Sequence, residues 1–106
     1  MLQNAIVRFE LVFRDVDLRR IYIVCSDTSD MAEIQVDLHG LSRKEADRLV
    51  RNIIALFPNN HFSLVLVHGY RHGDSLKNYF SAEFSCERVQ SSSPCSDNPG
   101  RTVLFI

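Results

Sequence analysis

The chain reads as an α/β domain: a two-layer sandwich with a βαβαββ core, a mixed sheet and two helices, extended by N-terminal β-strands. Three observations predict it. Residues 34–38 and 62–67 are short apolar runs with β-branched side chains, the mark of buried strands. Between them lies one amphipathic stretch with its own start and stop signals. Strand, helix, strand within about thirty-five residues is a βαβ unit, with parallel strands and a right-handed crossover. Further β-type runs flank this unit on both sides.

The elements follow in order. Residues 6–13, IVRFELVF, alternate Val7, Phe9, Leu11 and Phe13 against Arg8 and Glu10, which is a half-buried strand. Residues 20–25, RIYIVC, form another, and the acids of RDVDLR between them suit the turn of a hairpin. SDTSDMAE is a polar loop, and residues 34–38 make the third strand. Ser42, with Glu45 three residues on, spells a capping box. Ala46, Leu49, Val50, Ile53, Ile54 and Phe57 then recur at spacings of three and four, placing Arg43, Lys44, Asp47, Arg48 and Arg51 on the wet face. Pro58 and two asparagines end that helix.

FSLVLV (62–67) suits a central strand covered on both faces, or a parallel strand under helices. Leu76, Tyr79, Phe80 and Phe84 predict a second helix, capped by Asp74 or Ser75. A short strand near 87–91 follows, SSSPCSDNPG is a loop with Asn98-Pro99-Gly100 as its turn, and TVLFI is the last strand. Residues 1–33 therefore form an N-terminal β extension packed on the main sheet, and residues 34–106 the core domain.

Composition narrows the class. The 106 residues are 45% hydrophobic and 24% charged, ordinary for one soluble domain. No apolar run approaches the ~20 residues of a membrane span, and MLQNAIVRFELVF lacks the pattern of a signal peptide. A cytoplasmic setting without membrane contact is expected. Cys25, Cys86 and Cys95 are odd in number, widely spaced and without a Cys-x-x-Cys pair, as free thiols would be. Net charge is −1, with four Arg against six acids in residues 1–34 and eight Lys or Arg against seven acids in residues 35–106. A phosphate site would be local, not a broad basic face.

Parallel strands put their carboxyl ends on one edge. DLHG ends the first core strand and HGYRHG the second, so motifs distant in sequence should meet where open α/β sheets bind ligands. Each leads into a helix start, where free N–H groups and the helix dipole favour phosphate. His39 and His68 should then lie on one edge, within about 10 Å, since neighbouring strands are ~4.8 Å apart.

VDLHGLSRKEADRLV, then VLVHGY with a glycine and LK beyond it, then NPGRTVLFI, resembles the small MutS-related (Smr) domain, in particular its short stand-alone bacterial members. The resemblance covers residues 34–106 and rests on three motifs in order. It implies nucleic-acid binding and endonuclease activity on DNA or RNA. It carries Asp37, His39 and Gly40 onto the first motif, His68, Gly69 and Gly73 onto the second, and Gly100 onto the third. Arg71 stands where the family's second motif has a glycine, and residues 1–33 match nothing in the family.

Asp37, two residues from His39, can orient the imidazole as a general base; as a plain turn cap it would do no chemistry. His68 would bind or protonate near the scissile phosphate. Arg71 and Lys77 could contact phosphates, or be merely solvated. Tyr70 could stack on a base, or simply pack. No cysteine or second carboxylate supports a metal site, though a divalent cation such as magnesium stays open. Two other functions fit: a non-catalytic nucleic-acid-binding module, and a protein-interaction domain that uses the N-terminal hairpin as a pairing edge. A monomer or weak homodimer is expected.

Overall fold

The computed structural model describes residues 15–24, 32–58, 61–69, 75–94 and 100–106. Its elements are α1 (Asp15–Leu18), β1 (Ile21–Val24), β2 (Ala32–Asp37), α2 (Arg43–Ala55), β3 (Phe62–Val67), α3 (Ser75–Asn78) running into a π-helical turn (Tyr79–Glu83), β4 (Ser91–Pro94) and β5 (Arg101–Phe105). The strands form one mixed sheet in the order β1-β2-β3-β5-β4. Among the described strands only β2 and β3 are parallel; the other three pairings are antiparallel. The α/β class and the βαβ unit are thus as the periodicity predicts. The strand expected over residues 6–13 lies outside the described residues, but β1 does extend the sheet beside β2.

One face of the sheet carries Ile34, Val36, Phe62, Leu64, Leu66 and Leu104, all nearly or fully buried. Alternation explains it: Ile34 pairs with Leu64 and Val36 with Leu66 in register. Both helical segments cover this face. Helix α2 contributes Ala46, Leu49, Val50, Ile53 and Ile54, and the segment after it contributes Leu76 and Phe80. Each fully buried aliphatic side chain removes apolar surface from water, a gain of about 1.5–3 kcal/mol.

The start of α2 is as its sequence spells it. Ser42 Oγ accepts from the Glu45 amide at 3.1 Å, and the Ser42 amide donates to Glu45 Oε1 at 3.3 Å. Its polar face is less free than the spacing predicts. Arg51 Nε donates to both carboxylate oxygens of Asp47 (2.7 and 2.9 Å), and Nη2 donates to the Ser85 carbonyl at 2.8 Å. The guanidinium also sits 4.6 Å from the centre of the Phe84 ring. Arg51 lies on the exposed face, as the spacing predicts, and from there ties α2 to the chain beyond α3.

The second helix has the extent its apolar spacing suggests, Ser75 to Glu83, but not one regular type throughout. After one turn it widens, and the Phe84 amide bonds five residues back to Tyr79 at 2.7 Å. Ser81 Oγ donates to the Lys77 carbonyl at 2.8 Å, competing for the acceptor that a regular turn needs. The wider turn seats Phe80 in the core and packs Tyr79, Phe80 and Phe84 at centroid distances of 5.1–6.2 Å. The strand expected near 87–91 is displaced. Cys86 to Val89 make a turn closed by a 3.1 Å hydrogen bond, and pairing with β5 begins only at Gln90. SSSP, expected as loop, is the edge strand β4, with all four residues exposed. An edge tolerates Pro94, which has no N–H to donate.

Candidate functional site

The carboxyl edge of the parallel pair assembles three distant segments. Asp37 stands opposite Val67, and the Leu38 amide donates to the Val67 carbonyl at 2.8 Å. Leu38-His39-Gly40 and His68-Gly69 thus leave the sheet side by side. Strand β5 enters from the same edge, with Arg101 opposite Val67. The Gly100 carbonyl accepts from the amides of both His68 (2.9 Å) and Gly69 (3.1 Å). The expectation that the two histidine motifs share an edge holds.

The first motif is a tight turn. The Leu41 amide returns to the Leu38 carbonyl at 3.1 Å, with Gly40 at φ +79° in the third position. A positive φ there is the requirement of a type II turn and the reason for glycine. The turn folds His39 back over Asp37. Asp37 Oδ1 accepts from the His39 amide at 3.1 Å and from the imidazole Nδ1 at 2.6 Å. An ionised carboxylate only accepts, so the network assigns the proton to Nδ1 and leaves Nε2 with its lone pair. The His39 side chain is 70% exposed, so that lone pair is open to an incoming molecule. An imidazole in this tautomer, fixed by a carboxylate, is a proton acceptor in waiting.

Arg20 braces the turn from the other side. Its Nη1 donates to the carbonyls of Asp37 (3.1 Å) and His39 (3.0 Å). Nothing in LRRIYIV advertises this role, because the acceptors are main-chain atoms seventeen and nineteen residues away.

His68 has a different setting from the one its motif suggests. It lies on the helix-covered side of β3 and is only 8% exposed. Nδ1 donates to the Gly69 carbonyl at 2.9 Å, so Nε2 accepts from the Thr102 hydroxyl at 2.8 Å. With both nitrogens engaged, His68 fastens β3 to β5 beneath the site and has no lone pair to offer a substrate. Thr102, the other half of this latch, was legible only as a strand former. Gly69 is at φ +75°, which lets the chain turn away directly after His68. Lys77 is half-buried on α3. Tyr70, Arg71 and Gly73 lie outside the described residues.

Arg101, on the row of Asp37 and Val67, is a residue the sequence does not single out. Its Nε is buried and has no hydrogen-bond partner among the described residues. Among the described residues no three His, Cys, Asp or Glu side chains converge as metal ligands. No protein-family model and no curated protein sequence matches the chain.

Proposed function

We propose that the chain is a nucleic-acid-binding domain of the Smr kind that cleaves phosphodiester bonds, with His39 as general base and Asp37 as its orienting partner. The observation that carries this is the 2.6 Å contact between Asp37 Oδ1 and His39 Nδ1 on an exposed turn. His39 Nε2 takes the proton of an attacking hydroxyl, either water or a ribose 2′-hydroxyl. The freed oxygen bonds to phosphorus, the bond to the leaving oxygen breaks, and water protonates that oxygen. Arg101 bears on the phosphate part of the reading: a buried N–H without a partner is penalised by about 1–3 kcal/mol, and a phosphate oxygen would relieve it once the side chain swings the closed-off Nε outward. We place this activity in the cytoplasm, in a monomer or weak homodimer. Among the described residues no helix is long and apolar enough to cross a membrane.

The test is incubation with end-labelled single-stranded RNA, duplex DNA and branched DNA, with magnesium and with chelator. Cleavage that the Asp37→Ala and His39→Ala variants lack is the expected result. Cleavage of RNA alone, leaving a cyclic phosphate, identifies the 2′-hydroxyl as nucleophile. The engaged nitrogens of His68 favour one second reading, a domain that binds nucleic acid without turnover. Retention of these nucleic acids without cleavage would establish it. Neither binding nor cleavage would reject both.

A further inference from the structure

In the antiparallel ladder of β1 and β2, Arg20 and Asp37 face each other, and the Asp37 amide donates to the Arg20 carbonyl at 2.8 Å. The regular pattern returns that bond, amide of Arg20 to carbonyl of Asp37. Here it does not. The Arg20 amide turns instead to the Asp17 carbonyl at 3.0 Å, closing the turn that follows α1. The Asp37 carbonyl is therefore left without its ladder donor, at the residue that holds His39.

The guanidinium of the same arginine fills the gap. One amino group, Nη1, serves the Asp37 carbonyl at 3.1 Å and the His39 carbonyl at 3.0 Å. Its two hydrogens thus span the backbone on either side of Leu38 and set the distance between Asp37 and His39. The side chains of those residues meet at 2.6 Å across this braced backbone, beside the His39 amide's own 3.1 Å bond to Asp37 Oδ1. The turn's own hydrogen bond, from Leu41 to Leu38, does not include either carbonyl.

We propose that Arg20 is the positioning residue of the site: it holds the Asp37–His39 backbone so that Asp37 selects the Nδ1–H tautomer and presents Nε2 to substrate. Glutamine is too short to bridge both carbonyls. Lysine keeps the charge but lacks the rigid planar fork, so its ammonium holds the pair more loosely. The chemistry at stake rests on the proposed phosphodiester cleavage; the tautomer does not.

Both are measured on the full chain. In protein carrying ¹⁵N-histidine, the His39 ring signals are identified by their loss in His39→Ala, and their shifts report which nitrogen holds the proton. In Arg20→Gln the ring should move toward the Nε2–H form that free imidazole prefers. Cleavage should lose about 10- to 100-fold in kcat, the scale of a misplaced general base, with KM little changed. Arg20→Lys should fall between the two. Wild-type kcat and a wild-type ring signature in Arg20→Gln would overturn the proposal. Should that variant not fold, the same two wild-type values in Arg20→Lys would overturn it. If the wild type cleaves nothing while Arg20→Gln still shifts the tautomer, the nuclease reading fails and the positioning role of Arg20 stands.

Discussion

Gly40 separates two effects that glycine substitutions usually confound. A Cβ added there meets nothing within 4 Å, yet φ is +79°. Any change on substitution is then a backbone effect. Gly40→Ala should destabilise the fold by about 1–2 kcal/mol, the penalty for a left-handed residue with a side chain, and Gly40→Asn by less. A urea titration of the two variants checks the order. The turn was legible because its chemistry is written in side chains: an acid, an imidazole and a glycine in the span of four residues. Arg20 was not, because it binds carbonyl oxygens, which every residue carries. The motif at His68 named the right neighbourhood but not the partners that engage both ring nitrogens. Only the fold brings Thr102 to its Nε2, 34 residues further along the chain.

Among the elements, α2 and β3 were plain from periodicity, since burial on one face leaves a repeating trace. The edge strand β4 left none. All its side chains are exposed, so polar serines satisfy it as well as any residue, and only pairing with β5 defines it. The widening of the second helix escaped for another reason: a serine hydroxyl competing for a carbonyl alters a turn without altering the apolar spacing. Helix α2 gives a direct comparison of core and site. Ile53 is fully buried, so Ile53→Ala should destabilise by about 2–5 kcal/mol in denaturant titration. His39→Ala, on an exposed ring, should lose far less. The junction of α2 with the π turn should show itself at alkaline pH. Burial pushes the Tyr79 phenol up from its ordinary 10.0, and the neighbouring Asp47 carboxylate adds to the rise. The folded chain then keeps that proton longer than the unfolded chain. The associated stability is fully present below about pH 10 and is lost as pH climbs above it. Tyr79→Phe should therefore lose less stability than the wild type between about pH 9 and pH 11.

For the whole molecule, a net charge of −1 argues against a broad basic face, so the proposed nucleic-acid binding should depend on few contacts. Each phosphate neutralised contributes about 0.7 to 0.9 to the slope of log affinity against log salt. Contacts from Arg71, Lys77 and Arg101 would together give a slope of roughly −2 to −3. Changing Arg71 and Lys77 to Gln should flatten it by nearly two units, and Arg101→Gln by nearly one, in fluorescence anisotropy with short single strands. The cationic face of α2 is a weaker rival than its four basic residues suggest. Arg51 is bound to Asp47, Ser85 and Phe84, and Arg43 lies 3.7 Å from Glu83. A steep slope that survives the three changes would nonetheless move the surface there.

The strand order also dictates a sequence of events during synthesis. Strand β5 is the last described strand to leave the ribosome, yet it sits inside the sheet, between β3 and β4. Until it emerges, β2, α2 and β3 can assemble, but one side of β3 stays open, with its backbone N–H and C=O groups unpaired on that flank. Strand β4 is made earlier and must wait, because its ladder partner is β5. A nascent or truncated chain that stops short of Arg101 therefore exposes the apolar centre of its own sheet as a free edge. That intermediate, with the unpaired backbone of β3 along its flank, is the kind of open-edged species prone to aggregate before the sheet closes.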